Sequence, residues 1–350
     1  MEMFQLIEIT ASEPFERGRQ YGTQAKEKIN ICVDHYRERF TRSGQSWARV
    51  QKYAIQYAAV VDKYMPEALE EAKGIAQGSG RTLEEIMVVN CRYEISKFPK
   101  IMECTTAAIL PEASAGGKTY LIKNWDYSQE IIPHVVLLSV RMNDGYRAFG
   151  VTEAGQMVRD GMNSYGIAFA NNNLQSVYDS QNTGLPVTFI RKRLWESSTF
   201  KSARAFLTEA ERSVSCNTII AHSSGMALDF ETYPGGADTI EPSAGILTHA
   251  NHFVKNPRID GIQNRPKNRD TRLYELLNKR NGGINTEYIM ECLRDHKYYN
   301  LSICAHPDKT GDEYVRQRCT VSSTIMNLTD NVIYVCAGAP CEGGYVRFGL

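Results

Sequence analysis

Over the first hundred positions the apolar residues return every three to four places, and from position 104 onward the spacing tightens towards two. Tyr21, Ala25, Ile29 and Val33 step by four and, after a slip, Tyr36 and Phe40 continue the stripe, the period of an amphipathic helix. Pro66 stands where a first helical turn accepts it, and Ala68, Leu69, Ala72, Ile75 and Ala76 follow as one apolar face. Gly78-Ser79-Gly80 ends that helix. Thr82-Leu83-Glu84-Glu85 has capping-box spacing and opens another helix through Ile86, Met87 and Val89. A short strand near Phe4–Ile9 and helices over 14–97 are predicted.

Beyond that, short runs alternate or stay apolar between Gly, Asn and Asp turns, which predicts strands at 104–110, 118–125, 134–142, 146–152 and 166–171. Helical patterns follow at 186–197 and 202–212, then strands at 216–222, 226–231 and 246–249. Helices at 269–279 and 286–293 precede strands at 319–327 and 332–337. This order predicts an α+β layered fold, two antiparallel sheets with helices packed outside.

Composition narrows the function classes. Among 350 residues, 40 Lys and Arg balance 40 Asp and Glu, so neither nucleic acid nor an anionic membrane is an expected partner. The acidic start Met1–Ile9 lacks the apolar core of a signal peptide, and no run is long enough to span a bilayer. A cytoplasmic protein is expected. The nine cysteines are scattered without a C-x-x-C pair, which favours free thiols and no metal site.

One cysteine has a setting for chemistry. Cys104 begins a Thr- and Ala-rich run, Gly116-Gly117 makes a turn, and the returning run ends in Asn124-Trp125-Asp126. A hairpin there brings a carboxylate and an amide beside a thiol, the makings of acyl transfer. His249 and His252 flank Asn251, but a strand turns residues three apart to opposite faces, so a metal is not expected there. Between Lys255 and Arg280 eight basic residues (255, 258, 265, 267, 269, 272, 279 and 280) face only Asp260, Asp270 and Glu275. Such a run is either a solvated face or a holder of substrate carboxylate or coenzyme A phosphates, with Arg269 the residue to test. No P-loop, G-x-G-x-x-G or G-x-S-x-G occurs.

Further pieces recur in a fixed order: Glu71-Ala72-Lys73-Gly74-Ile75-Ala76, Asn90-Cys91-Arg92-Tyr93-Glu94, Cys104-Thr105-Thr106-Ala107 and Asn124-Trp125-Asp126. Thr152-Glu153-Ala154-Gly155, Met162-Asn163-Ser164-Tyr165-Gly166, the asparagines 171–173, Thr248 to Phe253, Asp295-His296 and Ser322 to Met326 follow. In these the chain resembles the acyl-coenzyme A:6-aminopenicillanic acid (isopenicillin N) acyltransferase family of cysteine N-terminal-nucleophile enzymes.

The resemblance implies a four-layer αββα sandwich, with residues 1–103 a helical pro-segment and 104–350 the catalytic core. It implies self-cleavage between Glu103 and Cys104, after which the two fragments stay associated. The freed α-amine of Cys104 then serves as base for its own thiol. By the same resemblance Asn251 is the oxyanion-hole asparagine, Asp126 the carboxylate that orients the new amino terminus, and Asn172 the choice from the asparagine run. Trp125, Tyr233, His249 and Arg269 are expected at the substrate, a small amide or acyl thioester. No cofactor is expected, although acyl-coenzyme A is a possible co-substrate. The chain departs from the family at Glu103, where members carry glycine, and at Tyr233, where the penicillin enzyme has a substrate-contacting serine. The rival expectations are an unprocessed thiol enzyme pairing Cys104 with His249, and a non-catalytic relative that binds an acyl compound.

Overall fold

The computed structural model describes residues 2–96, 104–180, 183–262, 267–299, 301–311 and 316–350. Strand β1 (Gln5–Ile9) leads into α1 (Pro14–Gln24), α2 (Lys26–Arg42), α3 (Trp47–Tyr64), α4 (Pro66–Ser79), α5 (Leu83–Asn90) and α6 (Arg92–Ile95). The capping box forms as predicted: Glu85 N donates to Thr82 Oγ1 at 3.3 Å, and Thr82 N donates to Glu85 Oε2 at 3.2 Å. After Cys104 come β2 (Cys104–Ile109), β3 (Tyr120–Ser128), β4 (Val135–Arg141), β5 (Arg147–Glu153), β6 (Asp160–Asn163) and β7 (Ile167–Asn173). Helices α7 (Val187–Trp195) and α8 (Phe200–Glu209) precede β8 (Cys216–His222), β9 (Met226–Tyr233), β10 (Gly236–Ile240) and β11 (Ile246–His249). The chain ends with α9 (Arg269–Asn278), α10 (Thr286–Leu293), β12 (Arg318–Asn327), β13 (Val332–Ala337) and β14 (Val346–Gly349).

These strands make two sheets, ordered β1-β4-β5-β6-β7-β8-β9-β10 and β11-β2-β3-β12-β13-β14. All described ladders are antiparallel except β1 with β4, where the strand that precedes the helices joins the sheet edge in parallel. Three apolar layers follow from the two faces of each sheet. Helices α1–α5, α7 and α8 cover the outer face of the eight-stranded sheet. The inner faces pack on each other through residues such as Leu121, Trp125, Leu137, Phe149 and Val321. Helices α9 and α10 cover the outer face of the six-stranded sheet. The result is the expected αββα order. Strands β6, β10 and β14 escaped the pattern because β6 reads Asp-Gly-Met-Asn and the other two are exposed edge pieces. Among the described residues no helix is long and apolar enough to cross a membrane.

The outer helical layer is held together by close helix contact. Helices α1 and α4 meet through two glycine pairs four residues apart, Gly18/Gly22 and Gly74/Gly78. A Cβ on Gly18 would stand 1.9 Å from Glu71 O, and one on Gly74 would stand 2.0 Å from Phe15 O. Beside this contact, buried Glu71 accepts from Arg17 Nε at 3.1 Å and Lys192 Nζ at 2.8 Å, tying both helices to α7. Glu71-Ala72-Lys73-Gly74, read from sequence as a family motif, is thus a packing device.

Gly74→Ala gains helix propensity but must push the α1 and α4 backbones apart. Overpacking of this kind costs about 1–3 kcal/mol, so the thermal midpoint should fall. An unchanged midpoint in thermal unfolding would show that the close approach contributes nothing.

A candidate active site around Cys104

Cys104 opens β2, is fully buried, and pairs across the ladder with Trp125 of β3. The hairpin turns through Gly116 and Gly117, both left-handed with φ of +73° and +66°, a conformation glycine adopts without strain. Since strand side chains alternate, Cys104 and Thr106 share a face with Trp125 and Lys123, aimed between the sheets. Asn124 turns the other way, where its Nδ2 donates to Leu293 O and Ile303 O at 2.9 Å. Asp126 alternates with Trp125 and lies on that outer side as well. Glu103 falls outside the described residues.

The backbone nitrogen of Cys104 donates to Asn251 Oδ1 at 2.6 Å, and Arg269 Nη2 donates to the same oxygen at 3.0 Å. Two donors on one oxygen settle which end of the carboxamide faces Cys104. Asn251 Nδ2 in turn donates to Asn173 O at 2.9 Å. The sequence expectation had the amide of Asn251 as an oxyanion donor. In the uncut chain it is the oxygen of this side chain that meets the cysteine.

The loop that carries Asn251 is shaped by one buried carboxylate. Glu231 Oε1 accepts from His249 Nε2 at 2.8 Å and from Val254 N at 2.5 Å, while Oε2 accepts from Lys255 N at 2.9 Å. Burial works to raise the Glu231 carboxyl, but His249 and these backbone donors hold it below its ordinary value. His249 is not placed at a substrate. It is fully buried, and its Nδ1 meets Ala250 O at 2.9 Å while Nε2 meets Glu231. Both partners only accept, so both ring nitrogens carry protons. Burial opposes that charge, but Asp229 and Glu231 outweigh it and push the imidazole up to about 9. Asp229 itself is pushed up to about 7 by burial.

From there a chain of hydrogen bonds crosses between the sheets. Asn217 Nδ2 donates to Asp229 Oδ1, Asn172 Nδ2 donates to Asn217 Oδ1 at 2.8 Å, and Thr106 Oγ1 donates to Asn172 Oδ1 at 2.7 Å. Asn172 therefore faces β2 two residues from Cys104. Its neighbour Asn171 turns away, donating from Nδ2 to Thr218 Oγ1 at 2.5 Å.

The remaining expected residues divide. Asp126 accepts from Thr320 Oγ1 at 2.7 Å and from Arg318 Nη2 at 3.3 Å, at the end of β3 beside the Cys104–Trp125 pair. Trp125 lies under the Arg159 guanidinium, 4.0 Å from the ring centroid. Tyr233 packs apart from the thiol, in a small cluster with Leu174, Phe253 and Ile259, and donates to Asp238 Oδ2 at 3.4 Å. The basic run is not one patch. Arg269 is buried on Asn251, Arg272 pairs with Asp295 at 2.6 Å, and Arg280 covers the Tyr288 ring. Arg265 lies outside the described residues.

Sequence reasoning missed two cations and a carboxylate. Buried Arg159 donates to Tyr93 OH at 2.9 Å, and burial, which lowers its pKa, is outweighed by Tyr93 and by the Cys104 thiol. Lys123 Nζ donates to both oxygens of Asp160 at 2.7 Å and to Asn171 O at 2.5 Å. Asp160 follows Arg159 just ahead of the Met162–Gly166 motif, and that position was the available signal. The Asn90–Glu94 motif also acquires a purpose. Asn90 Nδ2 donates to Gly155 O at 2.8 Å, Arg92 Nη2 donates to Glu153 Oε1, and Glu94 Oε1 accepts from Val187 N at 2.9 Å. The helical segment is thus tied to the end of β5 and the start of α7, and its Tyr93 reaches the site through Arg159. Burial would raise Glu153, yet Arg92 and His134 hold it well below the usual carboxylate range.

This geometry agrees with known proteins at two levels. A mutant of the conjugated bile acid hydrolase from Clostridium perfringens shares the fold, with a TM-score of 0.52 at 14% identity over 71% of this chain and 92% of that one. The acyl-coenzyme A:6-aminopenicillanic-acid-acyltransferase 40 kDa form of Emericella nidulans is 24% identical over 302 residues, 83% of this chain and 82% of that one. The family profile described as acyl-coenzyme A:6-aminopenicillanic acid acyl-transferase matches residues 113–342, well over half of the chain. The span holds Asp126, Asn172 and Asn251 and begins just after the Cys104 strand. The chain belongs to that acyl-transferase family.

Proposed function

We propose that the chain is a self-processing cysteine N-terminal-nucleophile enzyme that cleaves, or by transfer forms, the amide bond of a small N-acyl compound. The observation that carries the reading is the 2.6 Å hydrogen bond from Cys104 N to Asn251 Oδ1. It holds, in a fully buried site, the nitrogen that becomes an amine if the chain is cut after Glu103.

In self-processing the Cys104 sulfur attacks the Glu103 carbonyl and the peptide nitrogen leaves with a proton. Water then hydrolyses the thioester to a Glu103 carboxylate and releases the Cys104 thiol beside the amine that the shift set free. An α-amine titrates near 7.7–8.0 and a thiol near 8.5, so the proton moves readily from sulfur to nitrogen. The thiolate attacks the substrate carbonyl, the leaving amine takes the proton, and water or a second amine receives the acyl group. We assign Asn251 Oδ1 to holding the nitrogen, and the Nδ2 hydrogen not given to Asn173 O to the oxygen of the tetrahedral intermediate. Asp126, locked by Thr320 and Arg318, is assigned to orienting the amino terminus, and Asn172 to the wall facing Thr106. Arg159 supplies fixed positive charge beside the sulfur.

Residues 1–103 are proposed as the pro-segment. It shares β1 and an apolar core with the rest, so the fragments stay together after cleavage. Substrate hydrolysis needs no cofactor. An acyl-coenzyme A thioester enters this scheme only as a co-substrate that acylates Cys104. The rival Cys104–His249 pair finds no support in the geometry, because a doubly protonated imidazole bound to Glu231 and Ala250 O has no lone pair to offer a thiol.

Intact mass under denaturing conditions tests the reading. Freshly made protein should give two fragments divided between Glu103 and Cys104, and Cys104→Ala should stay whole and inactive on amides and acyl thioesters. A whole wild-type chain, or an active Cys104→Ala, sinks it. Asn251→Ala should lower kcat/KM by about 10²–10³, with the fragments still formed slowly.

His249 should act on stability with a defined sign. Its pKa rises on folding from 6.5 to about 9, so its contribution is fully present below 6.5 and fades as pH climbs through 9. The stability deficit of His249→Gln should therefore shrink across that window in denaturant unfolding. A deficit that is constant with pH would contradict the buried imidazolium.

A further inference from the structure

Four side chains with metal-ligating chemistry converge beside the start of β12, and the mechanism above uses none of them. His296 follows α10, Cys304 and His306 lie on the segment before β12, and Cys341 lies in the turn between β13 and β14. One donor atom from each lies within 4.8 Å of the other three. We propose that His296, Cys304, His306 and Cys341 form a tetrahedral site for a zinc-class divalent cation, separate from the Cys104 centre.

The distances have the right scale. With Zn–S near 2.3 Å and Zn–N near 2.0–2.1 Å, tetrahedral edges are about 3.3 Å for N···N, about 3.6 Å for N···S and about 3.8 Å for S···S. Here His296 Nε2 to His306 Nε2 is 3.1 Å and Cys304 Sγ to Cys341 Sγ is 3.6 Å. His306 Nε2 lies 3.6 Å from Cys304 Sγ and 3.1 Å from Cys341 Sγ. Two thiolates and two imidazoles in this arrangement select zinc over magnesium or calcium, which take oxygen. The outer side of His306 also fits: its Nδ1 lies 3.4 Å from Glu342 Oε1. A carboxylate there keeps the proton on Nδ1 and turns the Nε2 lone pair inward, the arrangement that supports metal-bound histidines.

A plain hydrogen-bond cluster is the competing account. It explains two histidines in contact, but it gives no reason for two thiols to meet the same nitrogen while a carboxylate backs that ring. The donors come from three separate stretches of chain, so no local motif announced them, and the absence of a metal expected from sequence rested on looking for C-x-x-C. The site would also steady catalytic geometry. Ala305, between Cys304 and His306, donates its N–H to Thr320 Oγ1 at 2.8 Å, and that hydroxyl donates to Asp126 at 2.7 Å. A metal holding both neighbours of Ala305 fixes the loop that orients Asp126.

Cobalt titration of the reduced full-length protein tests the site directly. One equivalent of Co²⁺ should bind with thiolate-to-metal charge transfer and tetrahedral d–d bands, and Zn²⁺ should displace it. Cys304→Ser and Cys341→Ser should each weaken binding by about a hundredfold or more, and Glu342→Gln by about tenfold. Zinc should raise the thermal midpoint of the wild type and not that of the double serine variant. If reduced wild-type protein shows no charge-transfer band, the proposal fails, whether or not the variants fold. It fails equally if the double serine variant binds cobalt with the same spectrum and affinity. A Cys304–Cys341 disulfide in protein that takes up no metal after reduction would assign the thiols to redox chemistry instead.

Discussion

One carboxamide oxygen organises the centre of this protein. Asn251 Oδ1 accepts from the Cys104 nitrogen and from Arg269, and so joins the first residue of β2, the loop after β11 and the start of α9 at one point. An amide buried without partners would cost about 1–3 kcal/mol, and here both ends of the carboxamide are hydrogen-bonded. Glu231 gathers the loop, His249 bridges Glu231 to the backbone, and the Asp229–Asn217–Asn172–Thr106 chain returns to β2. Charged and polar groups that would be a liability in an apolar core become a rigid frame around the sulfur.

The same logic explains why the helical segment is built into the sandwich. Arg92 and Glu153 are both fully buried, and breaking such a pair by removing one partner commonly costs about 3–5 kcal/mol because the other charge is stranded. Tyr93 adds a link to Arg159, which stacks on Trp125 opposite Cys104. The first hundred residues therefore shape the cation next to the thiol as well as covering the sheet. Cutting the chain before Cys104 would leave these contacts in place.

Much of the fold was legible because its layers impose simple periods. A helix covering a sheet needs a stripe at three and four, and a strand between two apolar layers needs an uninterrupted apolar run or a period of two. Pro66, the Gly78–Gly80 stop and the Thr82 cap marked helix ends through local chemistry, and Gly116-Gly117 marked the hairpin. Strand β6 stayed hidden because of its four residues only Met162 packs in the apolar core, while Asp160 serves charge pairing.

The site was legible in its components and illegible in its assignments. Sequence alone determined that Cys104 starts a strand whose hairpin partner carries Asp126 near its end, since turn chemistry and alternation are local. Tertiary structure alone decided which member of Asn171–Asn173 faces β2, because a shift of one residue turns a strand side chain to the opposite face. It also decided that His249 is a buried cation, that Arg269 is a partner of Asn251, and that residues 296, 304, 306 and 341 meet. Each of those facts depends on contacts between segments distant in the chain. The period of a segment encodes what it buries, while the identity of its partner is set only when the layers close.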